Sequence, residues 1–344
     1  MALGTLHFGG PDLPERALRN LLQSHVDESP PGSSIDWCTY YFRDEALAEA
    51  LIRASDRGVA VTLTVERTPR RKNANTAMLK RLEAHGLGGG LRIFAPRGPV
   101  HPHLHAKIYA FSAPRPIAFI GSFNPSGNEP EDAEVMAEIG DQDRGHNLLL
   151  GIEEPVLVDA LRRHVSAIPV SGGLIASRLA PSTNRAIRAG DSALFFYPRI
   201  RTGQVERELH GIGKGTSIRA AISHLKGSRF VAAIGGAARR GAHVDLIVHD
   251  TERRVPGSDV VRLRQAGAIV RRLRHPLGWP MHAKFLLIEK PGDAAAAWLG
   301  SANFNPRSRW INQEILLRTT DGATTEALQA RFARIADDPC CEPA

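Results

Sequence analysis

Two separate stretches of the sequence place histidine, lysine, serine and asparagine at matching intervals. The sets are His105, Lys107, Ser122 and Asn124 in the first half of the chain, and His282, Lys284, Ser301 and Asn303 in the second. Each set begins as His-x-Lys before an apolar run and continues as Gly-Ser-x-Asn. Alternate residues of a strand point the same way, so each histidine is expected beside its lysine.

These residue types suit phosphate chemistry. Lysine supplies a positive charge, asparagine supplies amide donors, and Gly-Ser allows the backbone to approach a phosphate closely. A histidine beside a bound phosphate can attack phosphorus or transfer a proton. Two such half-sites together would place a nucleophile and a proton donor on opposite sides of one phosphate. We therefore expect catalysis that uses neither a metal ion nor any other cofactor.

The two sets belong to an internal repeat. Residues 35–66 and 217–250 both read as strand, helix, Arg-Gly and strand. The apolar residues of each middle segment follow helical spacing. Gly58 and Gly241 stand where a left-handed helix cap favours glycine. The repeat predicts that each half carries one copy of the same positioning frame.

Strands that alternate with helices predict an α/β fold. We expect two similar halves, each a mostly parallel β-sheet flanked by helices, with the active site in the pseudo-two-fold cleft between them. The first half is predicted at residues 1–172 and the second at 190–336. A polar linker of small residues at 173–189 joins them, and the tail from Asp337 is expected to be disordered.

The composition is that of a folded, basic protein. The chain has 344 residues, of which 42% are hydrophobic and 23% charged, which argues against disorder over most of its length. The chain has 44 basic and 36 acidic side chains. Residues 1–172 hold 18 basic and 21 acidic ones, which leaves 26 basic and 15 acidic ones in residues 173–344. No signal peptide or long apolar run is visible, and three cysteines form no disulfide framework. We expect a cytoplasmic protein, and the basic surplus suits either a phosphate-rich partner, as we predict, or an ordinary solvated surface.

The paired motifs resemble those of the phospholipase D superfamily. Its signature is His-x-Lys, four residues, Asp, then Gly-Ser-x-Asn, usually present twice, and the similarity covers nearly the whole chain. The resemblance implies a covalent phosphohistidine, with His105 as the nucleophile by analogy with members whose first motif holds it, and His282 as the general acid and base. It also implies that Lys107, Lys284, Asn124 and Asn303 bind phosphate, that Ser122 and Ser301 line the turns as substrate-binding residues, and that Glu134 and Glu314 hydrogen-bond the catalytic histidines.

Two positions depart from the family signature. The Asp five residues after the lysine is Ser112 in the first copy and Glu289 in the second. The tyrosyl-DNA phosphodiesterase branch of the family also lacks this Asp and is active, so the resemblance still implies an enzyme. A phosphate-binding module without activity is the alternative that these two residues leave open.

Other residues near the motifs allow two interpretations each. His101, His103 and His105 alternate, which suits either a metal site on a strand face or, as we predict, a pocket entrance lined by His101 and His103. Trp279 is predicted as a substrate-binding residue that stacks on its ligand, with a packing role as the alternative. The arginines of residues 271–274 suit either a track for a polyanion or a solvated strand edge.

The resemblance leaves the substrate open between nucleic acids and phospholipids. The basic second half and the absence of export and anchor signals favour a nuclease that hydrolyses nucleic-acid phosphodiesters. A phospholipase D or phosphatidyltransferase is the alternative, against which stands the lack of an amphipathic or membrane-spanning anchor. Both half-sites lie in one chain, so a monomer is sufficient for a complete site.

Overall fold

The computed structural model describes residues 3–98, 100–126, 144–171, 173–179, 181–227 and 229–344. The strands of the first half are β1 (Gly4–Gly9), β2 (Ser34–Thr39), β3 (Ala60–Glu66), β4 (Leu91–Phe94), β5 (Ile108–Phe111), β6 (Ile117–Gly121) and β7 (Asn147–Ile152). Its described helices are α1 (Ala17–Glu28), α2 (Glu45–Asp56), α3 (Thr76–His85) and α4 (Pro155–Ala167), with a 3₁₀ turn at Gly86–Gly89.

The second half continues the same alternation. Its strands are β8 (Ile187–Ala189), β9 (Ser192–Tyr197), β10 (Ser217–Ile222), β11 (His243–His249), β12 (Ile269–Leu273), β13 (Lys284–Glu289), β14 (Ala296–Gly300), β15 (Glu314–Thr319) and β16 (Cys341–Pro343). The helices are α5 (Leu174–Leu179), α6 (Pro181–Asn184), α7 (Gln204–Leu209), α8 (Arg229–Arg239), α9 (Gly257–Gln265), α10 (Pro306–Trp310) and α11 (Gly322–Ala336). None of the described helices is long and apolar enough to cross a membrane.

The predicted repeat is present as two strand–helix–strand units. Strands β2 and β3 flank α2, strands β10 and β11 flank α8, and the two strands of each unit are parallel. Helix α2 begins after Asp44, whose carboxylate accepts a hydrogen bond from the backbone N–H of Leu47 at 2.9 Å. Gly58 and Gly241 both have φ of +89°, the left-handed conformation in which a glycine ends a helix.

Each half contains a mixed sheet, not the mostly parallel sheet that we predicted. The described strands run in the orders β1-β7-β6-β5-β2-β3-β4 and β16-β12-β11-β10-β13-β14-β15-β9-β8. Parallel pairing among them is confined to β2-β3-β4 and β10-β11-β12. The motif strands β5 and β13 instead form antiparallel pairs with β6 and β14. The short loops that connect these strands allow only antiparallel neighbours, because a parallel pair needs a long crossover.

The two sheets share a buried core. Ile120 and Leu150 of the first sheet belong to one apolar cluster with Phe285 and Leu317 of the second, and residues of α4 and α11 complete it. One further apolar cluster packs on the sheet of the first half, and another packs on the sheet of the second half. Because the halves share a core, the beginnings of β5 and β13 are fixed relative to each other. This contact is what positions the two motifs.

The joining segment and the C-terminal tail both carry regular structure. Residues 173–189 contain α5, α6 and β8, and β8 pairs with β9. The tail forms β16, which pairs antiparallel with β12 and places Cys341 opposite Leu273. The expectation of a disordered tail was therefore wrong, because the edge strand β12 offers backbone groups that a polar tail can bind.

Candidate active site between the two halves

Backbone hydrogen bonds that cross between the halves hold the two motif histidines. The N–H of His105 donates to the carbonyl oxygen of Gln313 at 2.9 Å, and the N–H of His282 donates to that of His146 at 3.1 Å. Gln313 and His146 immediately precede β15 and β7, which are equivalent strands of the two sheets. The predicted two-fold relation is therefore visible in the backbone, and each half holds the other's histidine.

The Nδ1 atom of each motif histidine contacts a side chain of the opposite half. His105 Nδ1 lies 2.9 Å from Glu314 Oε2, and His282 Nδ1 lies 2.8 Å from Asn147 Oδ1. Both partners are acceptors, so Nδ1 carries the hydrogen and Nε2 is left to react with a substrate. Glu314 thus contacts a motif histidine, as the resemblance implied. Glu134 lies outside the described residues, and Asn147 occupies the position that corresponds to Glu314.

Serine hydroxyls orient these two acceptors. Ser122 Oγ donates to Asn147 Oδ1 at 2.8 Å, and Ser301 Oγ donates to Glu314 Oε2 at 2.5 Å. Ser308 Oγ donates to the other oxygen of the Glu314 carboxylate, Oε1, at 2.6 Å. Ser122 and Ser301 are fully buried and stand behind the pocket wall. The structure therefore places them as positioning residues, not at the substrate-binding surface where we predicted them.

Lys107 and Lys284 are buried behind the histidines. Each Nζ donates to the carbonyl oxygen of its own motif histidine at 2.6 Å. Burial lowers the pKa of Lys107 to about 7 and lowers that of Lys284 well below its usual value. A bound phosphate would favour the charged form of both amines, because an opposite charge nearby raises the pKa of an ammonium group.

The motif histidines are neutral near pH 7. Burial lowers the pKa of His105 to about 4, although the Glu314 carboxylate opposes the shift. Burial, reinforced by the charges of the two motif lysines, also holds the pKa of His282 well below its usual range. A neutral imidazole has a free electron pair on Nε2, which is the form that a nucleophile requires. An anionic substrate would raise both pKa values and so favour proton transfer within the site.

A pocket of about 320 Å³ opens at the two histidines. The predicted residues that line it are His103, His105, Asn124, His282 and Asn303. The Oδ1 atom of Asn303 has no hydrogen-bond partner among the described residues, so it can accept a hydrogen bond from a ligand. Four arginines that we did not predict also line the pocket, namely Arg70, Arg253, Arg254 and Arg307. This wall of cations and amides favours an anionic, polar ligand.

Trp279 and His101 do not line this pocket. The indole of Trp279 stacks on His275 with ring centroids 4.1 Å apart, and the Arg144 guanidinium lies 4.5 Å from the indole centroid. Trp279 thus follows the packing alternative. His101 is exposed and does not itself line the pocket, but its carbonyl oxygen accepts a hydrogen bond from Arg307 Nη2 of the pocket wall at 2.7 Å. In the described part of the chain, no group of three or more His, Cys, Asp or Glu residues is placed to hold a metal ion, so the alternating histidines form no such group.

Asn147 and His224 are site residues that we did not predict. Asn147 and Glu314 begin the equivalent strands NLLLGI and EILLRT, but they follow the motif serines by 25 and 13 residues. The longer connection in the first half concealed the equivalence. His224 lines the pocket two residues after β10, as Tyr41 does two residues after β2. An alignment of the strand ends would have indicated both positions.

The positions that depart from the family signature lie far from the histidines. Ser112 follows β5, and its Oγ accepts a hydrogen bond from the N–H of Ser34 at 2.7 Å. Glu289 ends β13, where it is paired with Arg219 and accepts from Gln329 Nε2 at 2.6 Å. At about 3.3 Å per residue, five residues of strand separate each position from its lysine by roughly 16 Å. Both positions contribute to contacts at the other end of the sheet.

The arginines of residues 271–274 are engaged in structural contacts. Arg271 forms two hydrogen bonds to the Asp245 carboxylate, at 2.9 and 2.8 Å. Arg272 is buried and donates to the carbonyl oxygen of Val255 at 2.8 Å. These two side chains stabilise the sheet and so do not form the polyanion track that we considered for this segment, whereas Arg274 is exposed and lies 3.6 Å from Glu342.

The sequence matches a known family in both halves. The profile described as "Cardiolipin synthase, PLD-like domain" matches residues 27–146 and 210–336, which contain the two His-x-Lys motifs. The chain belongs to the phospholipase D-like family. Members of this family are phosphodiester-acting enzymes. No curated protein matches the sequence.

Solved structures share the fold of this phospholipase D-like protein. Phosphatidylserine synthase of Haemophilus influenzae is 13% identical with a TM-score of 0.68, over 100% of this chain and 89% of that one. Polyphosphate kinase of Porphyromonas gingivalis is 17% identical with a TM-score of 0.62, over 97% of this chain, which spans only 50% of that longer chain. A mutant of the yeast tyrosyl-DNA phosphodiesterase is 11% identical with a TM-score of 0.50, over 92% of this chain and 90% of that one. At these identities the similarity concerns the fold alone.

Proposed function

We propose that this protein cleaves phosphodiesters through a covalent phosphohistidine on His105, without a metal ion. The observation that carries the proposal is the meeting of His105 and His282 in one pocket, each with its Nδ1 engaged by a residue of the other half. This arrangement presents two reactive Nε2 atoms to one ligand. The arginines and amides of the pocket supply the charge that a phosphoryl group needs in the transition state.

The reaction proceeds in two balanced steps. When the anionic substrate binds, it raises the pKa of His282, whose Nε2 takes up a proton from solvent. His105 Nε2 attacks phosphorus, a nitrogen–phosphorus bond forms, and the bond to the leaving oxygen breaks as His282 Nε2 donates this proton to that oxygen. The now neutral His282 then removes a proton from water. The resulting hydroxide attacks phosphorus, displaces His105 and releases a phosphomonoester. An alcohol in place of water would give group transfer with the same residues.

The two Nδ1 partners support this order of roles. Attack by His105 places positive charge on its ring, and the buried carboxylate of Glu314 stabilises that charge. His282 faces the neutral amide oxygen of Asn147, which stabilises an imidazolium less and so makes it a stronger acid. The carboxylate therefore belongs beside the nucleophile and the amide beside the proton donor.

A nucleic acid is the substrate that we propose first. Its support is the set of pocket arginines Arg70, Arg253, Arg254 and Arg307, which come from both halves and line the pocket together with the histidines. A chain of phosphates would engage such cations on both sides of the cleaved bond. Two other arginines of the basic second half do not add to this support, because Arg271 is bound to Asp245 and Arg272 to the carbonyl oxygen of Val255.

A phospholipid is the second candidate, and a specific observation favours it. Exposed apolar side chains and arginines lie together beside the pocket around α10, the helix that contributes Arg307 and Ser308 to the pocket wall. Such a surface suits contact with a lipid–water interface. A phospholipase D or phosphatidyltransferase would use the same histidines.

An activity panel in EDTA tests both parts of the proposal. Oligonucleotides, phospholipid vesicles and a small chromogenic diester are incubated with the wild type, with His105→Ala and with His282→Asn. We expect turnover of the chromogenic diester by the wild type, none by His105→Ala, and a trapped phosphoenzyme in His282→Asn. No turnover of any diester by the wild type would refute the catalytic proposal, and the preferred natural diester identifies the substrate class.

A further inference from the structure

Four exposed apolar side chains lie beside the active-site pocket. Ile175, Leu179, Ile200 and Trp310 are 74%, 62%, 55% and 36% exposed, and we name this group the docking face. Ile175 and Leu179 stand four residues apart on α5, so they project from the same side of that helix. Single exposed apolar residues are common on proteins, but a cluster of them indicates an interaction surface.

Contacts between three segments make the docking face continuous. The Arg178 guanidinium of α5 lies 5.3 Å from the ring centroid of Trp310 on α10. The carbonyl oxygen of Arg178 accepts a hydrogen bond from Asn184 Nδ2 at 2.6 Å, and Asn184 Oδ1 accepts from the N–H of Ile200 at 2.8 Å. Helix α5, helix α10 and the loop after β9 are therefore neighbours on the surface.

The docking face adjoins the catalytic pocket through α10. Arg307 and Ser308 of this single turn line the pocket, whereas Arg309 and Trp310 line a cleft on its other side together with Arg207. A helix with its side chains is about 10–12 Å in diameter. A surface in contact with Trp310 therefore lies roughly one helix diameter from the pocket.

Arginines adjoin the apolar side chains. Arg178 lies against Trp310, the exposed Arg201 follows Ile200, and the exposed Arg207 lines a cleft together with Trp310. The acidic Glu206 of the same cleft is paired with Arg309. The docking face is thus apolar at its centre and cationic around it, which is complementary to a surface with an apolar interior and anionic groups.

We propose that the docking face binds a lipid bilayer that contains anionic lipids. The isoleucine and leucine side chains enter the boundary between headgroups and acyl chains, Trp310 lies at the level of the headgroups, and the arginines contact lipid phosphates. The mouth of the pocket then opens beside the membrane surface. This binding goes beyond the proposed function, because it requires neither catalytic histidine.

Vesicle sedimentation of the full chain tests the proposal. The probes are phosphatidylcholine vesicles with and without phosphatidylglycerol, at low and high salt. We expect the wild type to sediment with the anionic vesicles only, and less at high salt. The double variant Ile175→Asp/Leu179→Asp should bind them about tenfold more weakly or worse, because two apolar groups are replaced by charges that the lipid repels.

Val261→Asp is the matched control. Val261 is 53% exposed on α9, outside the docking face, so this variant should bind vesicles as the wild type does. Absence of wild-type binding to anionic vesicles, or an equal loss in the control, would overturn the proposal. So would a double variant that keeps vesicle binding but loses oligonucleotide binding or dissociates a dimer. Turnover of the small soluble diester, measured in parallel, reports separately on the proposed function.

Discussion

Removing the charge of Glu314 is the sharpest test of the site. Glu314 is fully buried, and its carboxylate accepts hydrogen bonds from His105 Nδ1 at 2.9 Å, Ser301 Oγ at 2.5 Å and Ser308 Oγ at 2.6 Å. Glu314→Gln keeps the size of the side chain and one oxygen acceptor, which His105 and Ser301 can share. It removes the negative charge that stabilises the ring of His105 when that ring becomes positive during attack.

The expected loss follows from the strength of one buried hydrogen bond to a charged group. Such a bond contributes about 1.5–3 kcal/mol, and each 1.36 kcal/mol in the activation free energy changes the rate tenfold. We therefore expect kcat to fall roughly 10- to 150-fold. The pocket wall is unchanged, so KM should change little.

Steady-state turnover of a chromogenic diester, with quench-flow measurement of phosphoenzyme formation, separates attack from later steps. Glu289→Gln is the matched control, because Glu289 is paired with Arg219 at the far end of β13. We expect this control to retain wild-type kcat. A Glu314→Gln variant within twofold of the wild type, or an equal loss in both variants, would refute our assignment of His105 as a nucleophile supported by Glu314.

Three further substitutions give separate readouts. Asn147→Asp places a carboxylate beside His282 and should raise its pKa, so the alkaline limb of the kcat–pH profile should move to higher pH; an unchanged profile would contradict a proton-donating role. Burial lowers the pKa of His164 to about 3, so the folded state favours neutral imidazole, and stability present above pH 6.5 is lost as the pH falls towards 3. Urea titrations at pH 8 and pH 5 measure this loss in the free energy of unfolding, and it should be about 2 kcal/mol smaller in His164→Leu than in the wild type. An equal loss in both proteins would argue against a lowered pKa of His164. Arg307→Ala should raise KM for an anionic diester about tenfold with little change in kcat, and a change confined to kcat would show that Arg307 does not bind the ground state.

Local spacing in the sequence was sufficient to predict the motifs and the repeat. A strand–helix–strand unit is held by contacts between residues near in sequence, and a glycine with φ of +89° marks the helix end in both copies. The two-half arrangement followed, since two equal partial sites must meet to surround one phosphate. The prediction of mostly parallel strand pairing was wrong. The helical crossovers that parallel pairing requires are absent between the motif strands and the strands that follow them in the chain.

Charge illustrates how composition alone misleads. The second half contains more basic residues, yet Arg271 and Arg272 satisfy a carboxylate and a buried carbonyl oxygen. The arginines at the histidines include Arg70, which comes from the half with the smaller number of basic residues. Whether a charge is available to a ligand depends on its partners in the folded chain, and composition does not contain that information.

The sequence by itself determined which side chains can perform the chemistry, because their types and spacing are local properties of two short motifs. Only the tertiary structure decided how they are paired. The contacts of His105 with Glu314 and of His282 with Asn147 join residues 209 and 135 positions apart, and they exist because two sheets share one core. The docking face has the same origin, since α5, the loop after β9 and α10 each carry too few apolar residues to form an amphipathic element alone. Folding brings them together beside the pocket, because contacts between distant segments are set by packing and not by local sequence.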